Sequence, residues 1–208
     1  MPDPTIVTLP KDQIAEAAQV MTAAFMPDPA FTHILPDPRH RQVGLNSIIS
    51  FAVQDAVVHG DVRTIELEGH PAAVAVWQPP GQYPLDRRRQ LRAVPRMLGL
   101  TVRIGRRVRD LARFGDAIDA RFPSDPVWYL QALGVRSDRQ GMGLGGALVR
   151  QGLQRADIDG IDTYLETGQQ GNVGYYQRMG FEVIESPEEL FPGGPAMWLM
   201  RRSARPTS

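Results

Sequence analysis

The sequence predicts an α/β fold, a mixed sheet with helices packed against it, and three observations predict it. From residue 126 onward, four β-prone runs and two helical stretches follow in the order β-α-β-α-β-β, the order of a compact mixed sheet. Nearer the amino terminus, "VRTIELEG" and "PAAVAVWQPPG" read as two strands joined by a turn. Between a strand and a helix, "GMGLGG" sets four glycines into the six residues Gly141–Gly146, so the chain turns sharply from one element into the other.

Taken in order, "TIVTLP" (5–10) is a short edge strand that Pro10 ends. A helix follows from about Asp12, because Ile14, Ala17, Ala18, Met21 and Phe25 recur at helical spacing. The four prolines of "MPDPAFTHILPDP" (26–38) break it into an irregular loop carrying Phe31, His33 and Leu35. A second helix covers Arg41 to Val58, with Gly60 as its stop signal. The strand pair comes next, with its turn at Gly69-His70 and its end at Pro79-Pro80. From about Leu85 to Ala120 the pattern is helical, with Pro95 and Gly99 separating two pieces. Ile104, Val108, Leu111, Phe114 and Ile118 form an apolar stripe there. Ten arginines lie between Arg87 and Arg113. They read either as a polyanion-binding face or as a solvated face whose arginine stems lie over the core, and the second is favoured because no aromatics interleave to stack bases.

The last third holds strand "PVWYLQALGV" (126–135), a helix to about Asp157, strand "DTYLET" (162–167), a short helix "GNVGYYQRM" (171–179), and strands "GFEVIES" (180–186) and "PAMWLMRR" (195–202). With 208 residues, the chain is expected to form a single domain, 1–208, with a helical insertion at about 85–120. Its formal net charge of zero argues against a nucleic-acid or membrane-surface partner. The absence of cysteine removes disulfides, Cys-liganded zinc and a thiol nucleophile, and it fits a reducing, cytoplasmic setting. "MPDPTIVTLP" lacks the basic and apolar segments of a signal peptide, and apolar runs such as "AAVAVW" are too short to span a bilayer. His33, His40, His59 and His70 show no metal-ligand spacing. "DIDGID" (157–162) begins like a calcium loop, but its twelfth position is Gly168 rather than glutamate, so no metal is expected.

Three phosphate-cradling patterns compete for the glycine run. A P-loop is excluded because no lysine followed by Ser or Thr stands after Gly145 or Gly146. A dinucleotide fingerprint is matched in spacing by Gly141, Gly143 and Gly146, with Glu166 twenty residues on. The third pattern, Q/R-x-x-G-x-G/A, is met with its glycines at Gly143 and Gly145 in "QGMGLGG", which Gln140 opens. Its context is a preceding strand "WYLQALGV", a following helix "ALVRQGL", then "YLET" and "NVGYYQRMGFEV" with its Y-x-x-x-G-F ending. From Val127 to Phe181 this text resembles the GNAT (general-control-related N-acetyltransferase) superfamily, in its puromycin-type branch. The likeness is strong over about 126–201 and looser over 5–80.

The resemblance implies a GNAT-type sheet, mostly antiparallel, with one splayed strand pair and helices on its flanks. It also implies acetyl-CoA as cosubstrate, with 126–201 as its binding core. Leu133, Gly134 and Val135 would pair with the pantetheine arm, and the Val135 N–H would meet the thioester oxyanion. Gln140, Gly141, Met142, Gly143, Leu144, Gly145 and Gly146 would wrap the pyrophosphate, where β-carbons at 141, 143 and 145 would block its approach. Either Gln169 or Asn172 would supply the pantetheine-contacting amide. Tyr176 would protonate the leaving thiolate, or be a core aromatic as Tyr175 is. Glu166 would take the amine proton, or merely bond nearby backbone. Phe25, Asp28, Phe31 and His33, with Trp128, are the candidates for acceptor contact. The function implied is N-acetylation of a primary amine, expected on a small molecule, in a monomer or homodimer. A protein or peptide N-acetyltransferase and a non-catalytic acyl-CoA-binding module are the alternatives.

Overall fold

The computed structural model describes residues 5–206. The extremities of the expected 1–208 domain, and the "MPDP" that opens the stretch read for a leader, lie outside the described residues. Seven strands among the described residues form one sheet: β1 (Ile6–Thr8), β2 (Asp61–Leu67), β3 (His70–Gln78), β4 (Trp128–Val135), β5 (Thr163–Thr167), β6 (Glu182–Glu189) and β7 (Ala196–Arg202). Their spatial order is β1-β2-β3-β4-β5-β7-β6. Every neighbouring pair is antiparallel except β4 and β5, which run parallel. The helices are α1 (Ile14–Phe25), α2 (Pro29–Ile34), α3 (Pro38–His59), α4 (Arg87–Ile104), α5 (Arg107–Arg121), α6 (Leu144–Asp159) and α7 (Gln170–Gln177).

Each sheet face carries its own core. On one face α6 and α7 pack Leu148, Val149, Leu153 and Tyr176 against Trp77, Trp128, Leu130 and Leu165. On the other, α1 and α3 pack Met21, Leu45, Ile49 and Val53 against Val62, Val74 and Val76. β3 is buried at every position but its first, which explains why it reads as a continuous apolar run.

Two expectations fail locally. Residues 26–38 are not an irregular loop throughout: Asp28 caps a short helix by accepting from the Ala30 N–H (2.9 Å), with Pro29 as its first residue. Asp37 does the same for α3, accepting from the Arg39 and His40 N–H groups, with Pro38 first. Proline breaks a helix interior but suits the first helical position, where no N–H is needed. In the helical insertion, Pro95 and Gly99 do not separate the two pieces. α4 runs through both and ends at Gly105, whose positive φ of 57° reverses the chain into α5.

The insertion is fixed over the sheet rather than projecting from it. Leu100 and Ile104 of α4 and Leu111 of α5 pack on Ile34 and Leu35. Arg89 is the buried exception among the ten arginines. Its Nε donates to Asp55 Oδ1 of α3 (3.0 Å), Nη2 to Asp55 Oδ2 and Nη1 to the Gln82 carbonyl, and both side chains of this ion pair are 5% exposed.

Candidate active site

β4 pairs with β3 along its length but with β5 only at Trp128↔Thr163 and Tyr129↔Tyr164. Beyond Tyr129 the two parallel strands part. The hydrogen-bond parity shows what the gap exposes. The Trp128 N–H donates toward the β5 side, to Asp162 O (2.8 Å), whereas the Arg136 N–H donates toward β3, to Ala72 O (2.9 Å). Counting back from Arg136, alternation turns Gly134 and Ala132 to β3 and leaves the backbone of Leu133 and Val135 facing the gap. The parity changes because Gln131 is an extra residue: Val76 pairs with Ala132 but Trp77 with Leu130. Such a bulge bends a strand and re-aims a side chain, and Gln131 lines the gap.

A cavity of about 120 Å³ fills the opening. β4 contributes Leu130–Leu133, β5 Glu166 and Thr167, and α7 with its N-cap contributes Gln169, Asn172 and Tyr176. The Gln169 N–H and Asn172 Nδ2 both donate to Thr167 Oγ1 (3.3 Å each), so both rival amide residues stand at the same edge. A second cavity, of about 330 Å³, lies beyond it under the helices. Its walls include Phe51, Tyr83, Met97, Phe114 and Tyr129. Phe25, Phe31, Gln131 and Glu166 border both cavities.

Glu166 therefore stands at the junction. Burial pushes its carboxyl up to about 7, and the neighbouring Tyr129 and Tyr164 hydroxyls pull it only part of the way back. Its Oε1 is buried without a hydrogen-bond partner among the described residues. Tyr176 is buried between Tyr175 (ring centroids 5.1 Å apart) and Phe181 (5.8 Å). Burial raises its phenol above the ordinary range, which keeps the proton on oxygen.

The glycine run leads from β4 into α6. Gly143 is the N-cap of α6 at φ 79°, Gly141 precedes it at φ 76°, and no side chain caps the helix. The Ala147 N–H is the first to bond back, to Gly143 O (3.0 Å), so the N–H groups of Leu144, Gly145 and Gly146 have no partner within the helix. An anion fits there. A β-carbon at 141 or 143 would meet no protein atom within 4 Å, so within the protein these two glycines answer to left-handed backbone. Gly145 answers to packing: a β-carbon there would press on Val135 Cγ2 (3.3 Å), the Tyr175 hydroxyl (3.4 Å) and Leu133 Cδ2 (3.5 Å). Unpaired N–H groups at α6, continuous with an unpaired edge on β4, suit a ligand with phosphates at one end and amides along its arm, as coenzyme A has.

Most of the expected residues converge here: Leu133, Val135, the 140–146 turn, Glu166, Gln169, Asn172, Tyr176, Phe25, Asp28 and Phe31. Gly134 is a correction: its backbone is turned to β3, and a β-carbon there would meet Met21 Cα of α1 at 3.0 Å. Gln140 closes the turn onto the strand, its Nε2 donating to Val135 O (3.4 Å). Trp128 is a correction. It lines neither cavity but is buried against α6, with its indole N–H donating to Asp159 Oδ2 (2.9 Å). Successive strand residues face opposite ways, so Tyr129 takes the cavity-facing place. His33 also lines neither cavity; its Nε2 lies 3.0 Å from Gly193 O. Sequence reading missed Gln131, although a lone polar residue inside "WYLQALGV" was a visible signal. It also missed Tyr83 and Phe114 as cavity walls, for which no local signal exists.

Among the described residues no group of three or more histidines or carboxylates is placed to hold a metal ion. Likewise, no helix is long and apolar enough to cross a membrane.

A sheet opened between two parallel strands, over a helix that starts from a glycine turn, defines the GNAT class of acyltransferase folds. Residues 98–181 match the family model described as the acetyltransferase (GNAT) family. Along its whole length it is similar to a structure described as histone acetyltransferase HPA2 and related acetyltransferase from Corynebacterium glutamicum (24% identity, TM-score 0.72, 99% of each chain). It is also similar to a polyamine N-acetyltransferase of Drosophila melanogaster (17%, TM-score 0.62, 97% of this chain and 100% of that one). A GNAT acetyltransferase from Brucella melitensis in complex with acetyl-CoA shares the fold at 17% identity (TM-score 0.53, 98% of this chain and 90% of that one).

Proposed function

We propose that the chain transfers an acetyl group from acetyl-CoA to the primary amine of a small molecule by direct attack in a ternary complex. The observation that carries this reading is the meeting of two cavities at Glu166. One runs along the free edge of β4 to Tyr176, and the other is a half-open apolar space under the helices. Bound acetyl-CoA supplies the acetyl group as a thioester. The Leu133 and Val135 backbone holds the arm, with the Val135 N–H directed at the oxyanion. Glu166 takes a proton from the amine, since an ammonium has no lone pair to attack with. Its carboxyl near 7 is poised for this at neutral pH. Tyr176, kept protonated by burial, gives a proton to the departing sulfur. No cysteine is available to hold the acyl group on the protein.

A cavity of about 330 Å³ is of small-molecule size, and the Drosophila relative is described as forming N-acetylagmatine, itself a small amine product. The narrower likeness to the puromycin-type branch rests on sequence motifs and points the same way. The test is thiol release from acetyl-CoA against a panel of small amines and short peptides. Turnover with small amines supports the proposal. Turnover confined to peptides, or acetyl-CoA binding with no turnover on any acceptor, overturns it.

A further inference from the structure

Among the described residues, the acceptor cavity offers a free carboxylate oxygen only at Glu166. Two carboxylates line it, Asp55 and Glu166, and they stand in opposite states. Both Asp55 oxygens are taken by Arg89, whose Nη1 also donates to the Gln82 carbonyl. Glu166 keeps Oε1 unpartnered, at the junction with the smaller cavity. Beside it the Gln131 amide is half engaged, its Oε1 accepting from Gln78 Nε2 (2.9 Å). Two further carboxylates near this end are engaged as well: Asp28, which lines the smaller cavity, accepts from the Ala30 N–H (2.9 Å), and Asp119 accepts from the Tyr83 hydroxyl (2.5 Å). Between the two ends the walls are aromatic and aliphatic, with Phe31, Phe51, Met97 and Phe114 among them.

From this asymmetry, and resting on the amine-transfer reading above, the geometry points to an apolar primary monoamine as acceptor: one amine at the Glu166 end, and an uncharged aryl or branched alkyl body in the remainder. A diamine or polyamine would carry a second ammonium into the apolar part. That charge would find no free carboxylate there, and losing water against aromatic and aliphatic walls without a partner is costly, so such amines are disfavoured. The Arg89–Asp55 pair thus removes a cation site while it fixes α4 over the cavity as a wall.

The test compares 2-phenylethylamine with 1,4-diaminobutane and spermidine by acetyl-CoA-dependent thiol release, with calorimetric binding of each amine to the CoA-saturated protein as a readout free of turnover. The expected result is kcat/KM for 2-phenylethylamine at least about 100-fold above either polyamine, the range a site reaches when a polar group is left unpaired. Met97→Glu places a free carboxylate on the apolar wall. It should lower the KM for 1,4-diaminobutane at least about tenfold and raise that for 2-phenylethylamine, with Phe51→Glu as an independent second variant. Polyamine turnover equal to or above that of the monoamine in the unsubstituted protein overturns the monoamine assignment and leaves amine transfer standing. Absence of turnover on every amine overturns the amine-transfer reading, and this inference with it.

Discussion

Glu166 and Tyr176 line one cavity from successive elements, β5 and α7, and burial moves both side chains the same way, toward the protonated form. For the carboxyl, this brings the titration near neutral, where a base both exists ionised and accepts a proton readily. For the phenol, the same displacement leads away from neutral and keeps the proton on oxygen. In the proposed mechanism one physical cause, loss of water, would thus equip both the base and the acid.

Replacing Tyr176 with phenylalanine removes the acid and little else. The ring keeps its contacts with Tyr175 and Phe181, so unfolding free energy should change by less than about 1 kcal/mol. kcat should fall by about 10²-fold, with little change in the KM for acetyl-CoA. Steady-state rates and a urea titration of the same preparation check both halves. An unchanged kcat would return Tyr176 to the core.

Glu166→Gln tests the base through two pH dependences. Activity of the unsubstituted enzyme should rise as pH passes about 7, while the variant should be slow and lack that inflection. Stability moves oppositely. The folded carboxyl titrates near 7 and the unfolded one near 4.5, so between these values the native state holds a proton that the unfolded state has lost. Stability therefore falls across that window. The variant should show no gain in melting temperature at pH 4, a growing gain from about pH 4.5 to 7, and a plateau above. Melting curves across that range decide it, and a gain independent of pH would show that Glu166 is ionised at little cost.

The elements that carry local signals were readable before the structure. The 3.6-residue spacing of Ile14 to Phe25 became α1, and the uninterrupted apolar run of β3 marked a strand buried on both faces. The glycine turn was readable because left-handed backbone at Gly141 and Gly143 demands a residue type, and because an anion at a helix start demands bare N–H groups. What escaped depends on distance in sequence. Phe114 and Tyr83 reach the acceptor cavity through the way α4 and α5 dock, and Asp55 meets Arg89 across 34 residues. Trp128 and Tyr129 show the finer limit. A β-prone run does not announce which of its faces will border a cavity, and shifting the pattern by one residue exchanges the two.

Asp55→Asn should be among the more damaging single substitutions away from the chemistry. It leaves the Arg89 guanidinium charged, 5% exposed and short of its counter-ion, with the Gln82 carbonyl as its remaining acceptor. Breaking one side of a buried pair costs about 3–5 kcal/mol. A urea titration should show that loss. Because Asp55 and Arg89 hold a wall of the acceptor cavity, the variant's KM for an amine acceptor should rise more than its KM for acetyl-CoA. Replacing both together, Asp55→Leu with Arg89→Met, should recover much of the stability, since no orphan charge remains.

Gly143→Ala separates the role of the turn from that of the helix that follows it. At φ 79° an alanine is strained by roughly 1–2 kcal/mol, and relief comes from rotating the backbone rather than from moving neighbours, because a β-carbon there meets no protein atom within 4 Å. Rotation at the N-cap swings the free N–H groups of Leu144 and Gly145 off their common direction. The expected outcome is a tenfold or larger rise in the KM for acetyl-CoA, about 1.4 kcal/mol, with the KM for the amine unchanged and kcat at saturation reduced much less. Gly145→Ala should behave differently. Its β-carbon would crowd Val135 Cγ2 of β4 (3.3 Å), so it should disturb the strand edge and lower kcat as well as acetyl-CoA affinity. Two glycines in one turn would then report two different requirements, backbone conformation at 143 and close packing at 145. Identical kinetic effects from both substitutions would show that the turn acts as a single flexible unit.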